Sequence, residues 1–312
     1  MSTSTAWSRR GYADTINCEL VPGVILKGAN IAPKPGQSYQ AFFTEWDWAG
    51  WIKPQIDSLD SVGGNTVRLI GDVAGVNNSA FTQSYYDDKW SQLIGYADTL
   101  GMYVYPAGGG VSQIGALSVS QVADTVAAAA ENWDTHANVV GIDILQESVR
   151  AQAAGSYPLS FPSEMTSPVR SATTKPITFS NSGPHPFGTA RFAFPLWRNI
   201  LRPYIDFWDI HVYTVCPKEL IHLAFWAQGE SKPVVIGEFA AHQGLSTGEQ
   251  TRRYQNALDI VNTRYGGLHV AGILQWALYP QSITASDDWG MFDSGGVPRS
   301  HLTDLFEELP TS

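Results

Sequence analysis

Short apolar, β-branched runs alternate along this chain with stretches of mixed polarity. Val139-Val140-Gly141-Ile142-Asp143-Ile144-Leu145 and Pro233-Val234-Val235-Ile236-Gly237 are two such runs. A strand covered on both faces needs apolar side chains on both, so these runs predict buried strands. The pattern predicts strands at Gly23–Asn30, Asn65–Ile70, Met102–Pro106, Val139–Gln146, Pro176–Ser180, Phe207–Tyr213, Pro233–Phe239 and Val270–Ala277. Amphipathic spacing predicts helices at Glu45–Val62, Thr82–Leu100, Ser118–Trp133, Ser163–Thr173, Pro217–Gln228, Thr247–Tyr265 and His301–Leu309. Gly63-Gly64 and Gly101 are the stop signals of the first two. Strands separated by crossover helices imply a parallel sheet, and eight such units close into a (β/α)8 TIM barrel of the α/β class. The expected layout is an N-terminal arm, residues 1–20, and a single barrel domain, residues 21–312.

In a barrel of this kind the active site lies at the C-terminal ends of the strands. Polar and aromatic residues gather there: Asn30, Arg68, Asp72, Gln146, Glu147, Asn181, His211, Tyr213, Glu238 and Trp276 each fall at or just past a predicted strand end. Two of them, Glu147 and Glu238, are carboxylates that close apolar runs. A pair of carboxylates is the minimal equipment for hydrolysing a glycosidic bond. Two long loops, Asn181–Tyr204 with Phe187, Phe192, Phe194 and Trp197, and Pro280–Arg299 with Asp287, Asp288 and Trp289, are placed to shape a cleft on that face.

Composition narrows the substrate. The chain has 312 residues, 44% hydrophobic and 15% charged, with a formal net charge of −10. An acidic chain without a basic run predicts no nucleic-acid partner and no anionic-membrane partner; a neutral ligand fits better. Aromatic residues make up 12% of the chain, including eleven Trp, and aromatic faces suit the C–H faces of sugars. No stretch approaches the roughly 20 apolar residues of a membrane span. No signal peptide is visible in Met1–Gly11, which leaves the cytosol, another export route or a larger particle as settings. The two cysteines, Cys18 and Cys216, read either as unrelated thiols or as one bridge from the arm to the barrel. His185, His222, His242, His269 and His301 lack metal-ligand spacing, and Gly108-Gly109-Gly110 lacks the lysine of a phosphate loop. The expectation is therefore a monomer that uses no cofactor and no metal.

Several pieces together resemble a known family. They are Gly64-Asn65-Thr66-Val67-Arg68-Leu69, Asn138-Val139-Val140-Gly141 leading to Glu147, His211-Val212-Tyr213, Ile236-Gly237-Glu238, Gln275-Trp276, and Trp289-Gly290-Met291-Phe292-Asp293 through Pro298-Arg299. In this order and spacing the chain resembles the retaining glycosidases of the large barrel clan, most closely glycoside hydrolase family 5, the cellulase and mannanase group. The resemblance implies Glu147 as general acid/base and Glu238 as nucleophile. It also implies His211 as a substrate-binding histidine, Trp276 as the aromatic floor under the sugar, and Gln146 in place of an amide that binds the sugar 2-hydroxyl. Where the family has Asn-Glu-Pro, this chain has Gln146-Glu147-Ser148. The physical reading agrees with the roles: Glu238 must stay ionised, with Arg68 and Tyr213 placed to favour that, and Glu147 must start protonated beside a negative neighbour. Asn30 and Asn181 are substrate-binding candidates by position, as is Asp72. The expected activity is a retaining β-glycoside hydrolase acting on a neutral β-mannan, β-glucan or cell-wall glycan. The alternatives are a non-catalytic glycan-binding barrel in a larger assembly, or a transglycosylase.

Overall fold

The strands run parallel: β1 (Leu26–Ile31), β2 (Thr66–Ile70), β3 (Tyr103–Ala107), β4 (Ile142–Asp143), β5 (Ile177–Thr178), β6 (Asn181–Ser182), β7 (Trp208–Val212), β8 (Val234–Phe239) and β9 (Val270–Gln275). This computed structural model describes residues 19–110, 117–148, 157–182, 199–213, 232–263, 270–284 and 287–312. The sheet order is β5-β4-β3-β2-β1-β9-β8-β7-β6. β5 pairs with β4 and β6 with β7, so these two short segments are halves of one strand position. The result is the expected barrel of eight parallel strands, nearly closed, with helices between them.

All eight predicted strands are present, with two modified. The run Val139–Gln146 makes a regular ladder only at Ile142–Asp143, although single bridges at Val139 and Gln146 extend it in both directions. The predicted fifth strand, Pro176–Ser180, is regular only at Ile177–Thr178, and β6 follows it at Asn181–Ser182, where the chain changes partner from β4 to β7. Helices differ more at their starts. The predicted Glu45–Val62 is in fact α1 (Tyr39–Glu45), a π-helical turn Trp48–Ile52 and α2 (Lys53–Ser61). Trp46 ends α1 in the left-handed region at φ 32°, and Asp47 opens the next turn by accepting the Gly50 N–H. A short α3 (Val73–Asn77) was not predicted.

Caps set the longer helices. Thr82 accepts the Tyr85 N–H at the start of α4 (Gln83–Thr99), and Ser118 with Gln121 forms a capping box on α5 (Val119–Asp134). α6 (Phe161–Ala172), α7 (Thr247–Thr263) and α8 (Ser300–Glu307) complete the described set. The main core lies between barrel wall and helices, where Trp90 of α4 meets Trp133 of α5 edge-on at 5.0 Å. A second apolar cluster, with Leu26, Tyr105, Val140, Phe207, Val235 and Leu274, plugs the N-terminal side of the barrel. Among the described residues no helix is long and apolar enough to cross a membrane. Cys18 and Cys216, the predicted helix Pro217–Gln228, the aromatics Phe187, Phe192, Phe194 and Trp197, and nearly all of the arm lie outside the described residues.

Candidate active site

On β7, Asp209 and His211 alternate with outward-facing residues, and Tyr213 follows in the same phase, so all three point into the barrel. On β8, Glu238 lies opposite His211. Four groups converge on its carboxylate. Arg68 Nη1 donates to Oε1 at 2.9 Å, Gln146 Nε2 reaches Oε1 at 3.3 Å, His211 Nδ1 lies 3.2 Å from Oε2, and the Tyr213 hydroxyl donates to Oε2. Glu238 and its Arg68 partner are essentially inaccessible to water.

Glu147 reaches the same point from the turn after β4. It takes a left-handed backbone, φ 53°, which a non-glycine residue adopts only when its surroundings hold it there. They do: the Glu147 N–H donates to Ser180 Oγ at 3.0 Å, and the Ser148 N–H donates to the Ser180 carbonyl at 3.0 Å. Ser148 Oγ donates to Asn181 Oδ1 at 3.1 Å. The Ser148 N–H is a donor that proline would lack, so the departure from Asn-Glu-Pro has a structural use here. The result is a compact trio: one donor atom each from Glu147, His211 and Glu238 lie within 4.8 Å of one another. His211 Nδ1 is 3.5 Å from Glu147 Oε1. These donor types also suit a divalent ion, although Arg68 already supplies a positive charge at Glu238.

Beneath the trio lies a buried charge layer. Arg68 Nη2 donates to Asp143 at 2.8 Å and lies 4.0 Å from Asp209. Burial opposes the Arg68 charge, but Asp209, Glu238 and Asp143 outweigh it and raise its pKa. Burial pushes the Asp209 carboxyl up to about 7, with Arg68 pulling the other way. Burial, reinforced by Glu238, also raises the Tyr213 phenol well above its ordinary range, so that it remains a hydrogen-bond donor at neutral pH.

Aromatic groups line the mouth. Trp276, followed by a cis peptide to Ala277, packs with Ile70, Ala107 and Ala240, and Tyr39, Tyr213 and Trp289 lie against that cluster. Trp289 contacts Tyr213 at 5.1 Å and His242 at 5.0 Å. It is held by its own loop, where Arg299 pairs with Asp288 at 2.7 Å. Among the described residues the buried Tyr39 hydroxyl has no hydrogen-bond partner, and burial followed by Glu238 raises its pKa.

The structure thus brings together Glu147, Glu238, Arg68, Gln146, His211 and Tyr213, with Trp276 at the mouth. Asn30 sits behind them: both of its N–H donors go to backbone carbonyls, of Gly237 at 3.0 Å and Gln275 at 3.1 Å, and its oxygen accepts from Arg68 at 2.7 Å. Asn181 bonds Ser148 and the Phe179 carbonyl, which fits a support role under Glu147. Asp72 is buried at the start of α3, where burial raises its carboxyl, and lies outside this network of contacts. Sequence reasoning passed over Asp143, Asp209, Ser180 and Tyr39 as site residues, and placed Trp289 only on a cleft-shaping loop. Asp143 and Asp209 carried a signal, since each is a charge inside an apolar strand run. Tyr39 carried none.

No protein-family model matches the sequence, and no curated protein matches it. Solved structures do match the fold. A GH5_18 protein from Streptomyces cattleya, in complex with GlcNAc, aligns over 92% of this chain and 80% of its own at 12% identity, with a TM-score of 0.69. A glutamate-to-alanine variant of a GH5_18 protein from Bifidobacterium longum subsp. longum ATCC 55813, in complex with Manβ1-4GlcNAc, covers 91% of this chain and 77% of its own at 13% identity, with a TM-score of 0.70. An exo-β-1,4-mannosidase from Opitutaceae bacterium strain TAV5 covers 90% of this chain at 15% identity and a TM-score of 0.68, while this chain spans 58% of its length. At these identities the likeness establishes one thing: the chain has the barrel fold of these GH5_18 proteins and of this mannosidase.

Proposed function

We propose that the chain is a retaining β-glycoside hydrolase, with Glu238 as nucleophile and Glu147 as general acid/base. The observation that carries this reading is the approach of Glu147, His211 and Glu238 donor atoms to within 4.8 Å of one another. Retaining enzymes hold their carboxyl groups about 5–5.5 Å apart, so that one can attack the anomeric carbon directly; inverting enzymes leave about 6.5–9.5 Å for a water. In the first step a Glu238 oxygen bonds to the anomeric carbon as the glycosidic bond breaks, and the leaving oxygen takes the Glu147 proton. In the second step Glu147 takes a proton from water, the water oxygen bonds to the anomeric carbon, and Glu238 departs with its electron pair.

The surroundings support this division. Arg68 and Tyr213 both donate to Glu238 and fix the orientation of its carboxyl group. Gln146, on a longer stem than asparagine, keeps an amide at 3.3 Å from Glu238. Trp276 offers an apolar face for the sugar. The neighbours in complex with Manβ1-4GlcNAc and the β-1,4-mannosidase make short β-mannosides the first substrates to try, ahead of β-glucosides and polymeric glycans.

The test is a panel of aryl β-glycosides, β-manno-oligosaccharides and β-glucans with reducing-end readout. Release of product with the β configuration at early times supports the reading. Early α product, or sugar binding without release, overturns it. Glycosyl transfer to added acceptor sugars would mark the same covalent intermediate used for transglycosylation.

A further inference from the structure

A buried carboxylate, Asp209, has no part in the two-glutamate chemistry, yet it joins four strands directly beneath it. Its Oδ2 accepts from the Tyr105 hydroxyl of β3 at 2.5 Å and lies 4.0 Å from Arg68 of β2. Its Oδ1 accepts the Gly237 N–H of β8 at 3.1 Å and lies 3.6 Å from His211 Nε2 on its own strand. Gly237 immediately precedes Glu238.

The side-chain phase of β8 reverses at that glycine. Val234 and Ile236 belong to the outer core, while Val235 belongs to the cluster inside the barrel. Continued alternation would send Glu238 outward and Phe239 inward. Instead Phe239 faces outward, packing on Tyr254 of α7 at 5.2 Å, and Glu238 faces His211. The register shows the cause. Asp209 pairs with Val235 and His211 with Glu238, so two steps on β7 match three on β8. On the other side, Ile236 pairs with Ile273 and Phe239 with Gln275, again three steps against two. One extra residue, a β-bulge, turns the carboxylate into the barrel.

A bulge removes ladder partners, and buried backbone groups need replacements. Here Asp209 takes the Gly237 N–H and Asn30 takes the Gly237 carbonyl. Asp209 also excludes any side chain at this position, since a Cβ on Gly237 would lie 2.0 Å from its Oδ1. We propose that Asp209 is a positioning residue whose carboxylate holds the β8 bulge and thereby aims Glu238 at the substrate. The proposal rests on Glu238 being the nucleophile.

The experiment measures the rate at which a 2-deoxy-2-fluoro glycoside with a dinitrophenyl leaving group labels Glu238, by intact-mass and peptide mass spectrometry. The sugar is one that the wild type turns over. Asp209→Ala is expected to slow labelling by about 100-fold, the scale of a nucleophile misplaced by about an ångström, with KM within about threefold of wild type. Asp209→Asn keeps the acceptor for the Gly237 N–H and is expected to lose less than about tenfold. Gly237→Ala meets the carboxylate from the opposite side and is expected to match Asp209→Ala. Wild-type labelling in either Asp209→Ala or Gly237→Ala overturns the proposal, as does Asp209→Asn failing as badly as Asp209→Ala. If Asp209→Ala does not fold, Gly237→Ala and Asp209→Asn decide the matter. If the wild type itself takes no label and cleaves no glycoside, it is the nucleophile reading that has failed. The contact is then judged by urea midpoints: Gly237→Ala should cost much less in an Asp209→Ala background than in wild type, and additive losses would overturn it.

Discussion

Glu147 and Glu238 differ in how they are held, and this separates the behaviour expected of their variants. Glu238 has Arg68, Tyr213 and Gln146 bonded to its oxygens, whereas the backbone of Glu147 is bonded to Ser180. Glu238→Ala should abolish turnover of every glycoside while the thermal unfolding curve stays near wild type. Glu147→Gln should retain much more activity on activated aryl glycosides, whose leaving groups need little protonation, than on natural oligosaccharides. Equal losses on both substrate types would remove Glu147 from the acid role. Asp209 sets a stability trend of definite sign. Its ordinary value of 3.8 is pushed to about 7 in the fold, so between these values the folded chain holds a proton that the unfolded chain has released. The contribution of this group to stability is complete below pH 4 and is lost as pH rises towards 7. Asn does not titrate. Urea midpoints of wild type and Asp209→Asn should therefore diverge in favour of the variant as pH increases from 4 to 7.

At the level of elements, the fold depends on local devices at strand and helix ends. Ser118 accepts the Gln121 N–H while the Gln121 side chain returns to the Ser118 N–H, a reciprocal cap on a helix whose apolar face carries Val122, Val126 and Trp133. Ser118→Ala should cost about 1 kcal/mol of unfolding free energy without altering activity. The turn after β4 is more sensitive. Ser148→Pro would bring the chain closer to the Asn-Glu-Pro pattern, yet it removes an N–H that bonds Ser180 and a hydroxyl that bonds Asn181. It should destabilise by about 1–3 kcal/mol, because it leaves buried acceptors without donors, and should lower kcat by disturbing Glu147. A variant as active and stable as wild type would show that these bonds do not hold the turn. The missed break at Trp46 and Asp47 belongs to this scale too: a left-handed tryptophan has no propensity signature, and the tertiary hydrogen bond from the Trp46 indole N–H to Gln92 of α4, at 2.7 Å, holds it there.

Across the whole molecule, one cation ties the barrel together. Arg68 on β2 bonds Asn30 on β1, Asp143 on β4 and Glu238 on β8, and lies near Asp209 on β7. Removing it would leave buried carboxylates uncompensated. Arg68→Met should therefore destabilise the fold by about 3–5 kcal/mol, measured by urea unfolding, as well as abolish the proposed glycoside turnover. A stable but inactive variant would confine Arg68 to the chemistry.

The succession of strands and helices was legible in the chain because periodicity and burial are local properties: a strand covered on both faces is apolar whatever its partners. The strand-end residues were legible for the same reason, since Arg68, Glu147, His211 and Glu238 interrupt or close apolar runs. Which of them meet was decided only by the closed sheet. Barrel closure brings β2, β4, β7 and β8 to one axis and gives Asn30 and Asn181 supporting bonds in place of open amides. It also draws in Tyr39, which no strand end announces. The inward direction of Glu238 was expected from its strand-end position and the family resemblance, not from periodicity. Alternation along β8 points it outward, and an added residue in register with two neighbouring strands turns it in, a relation that exists only between strands.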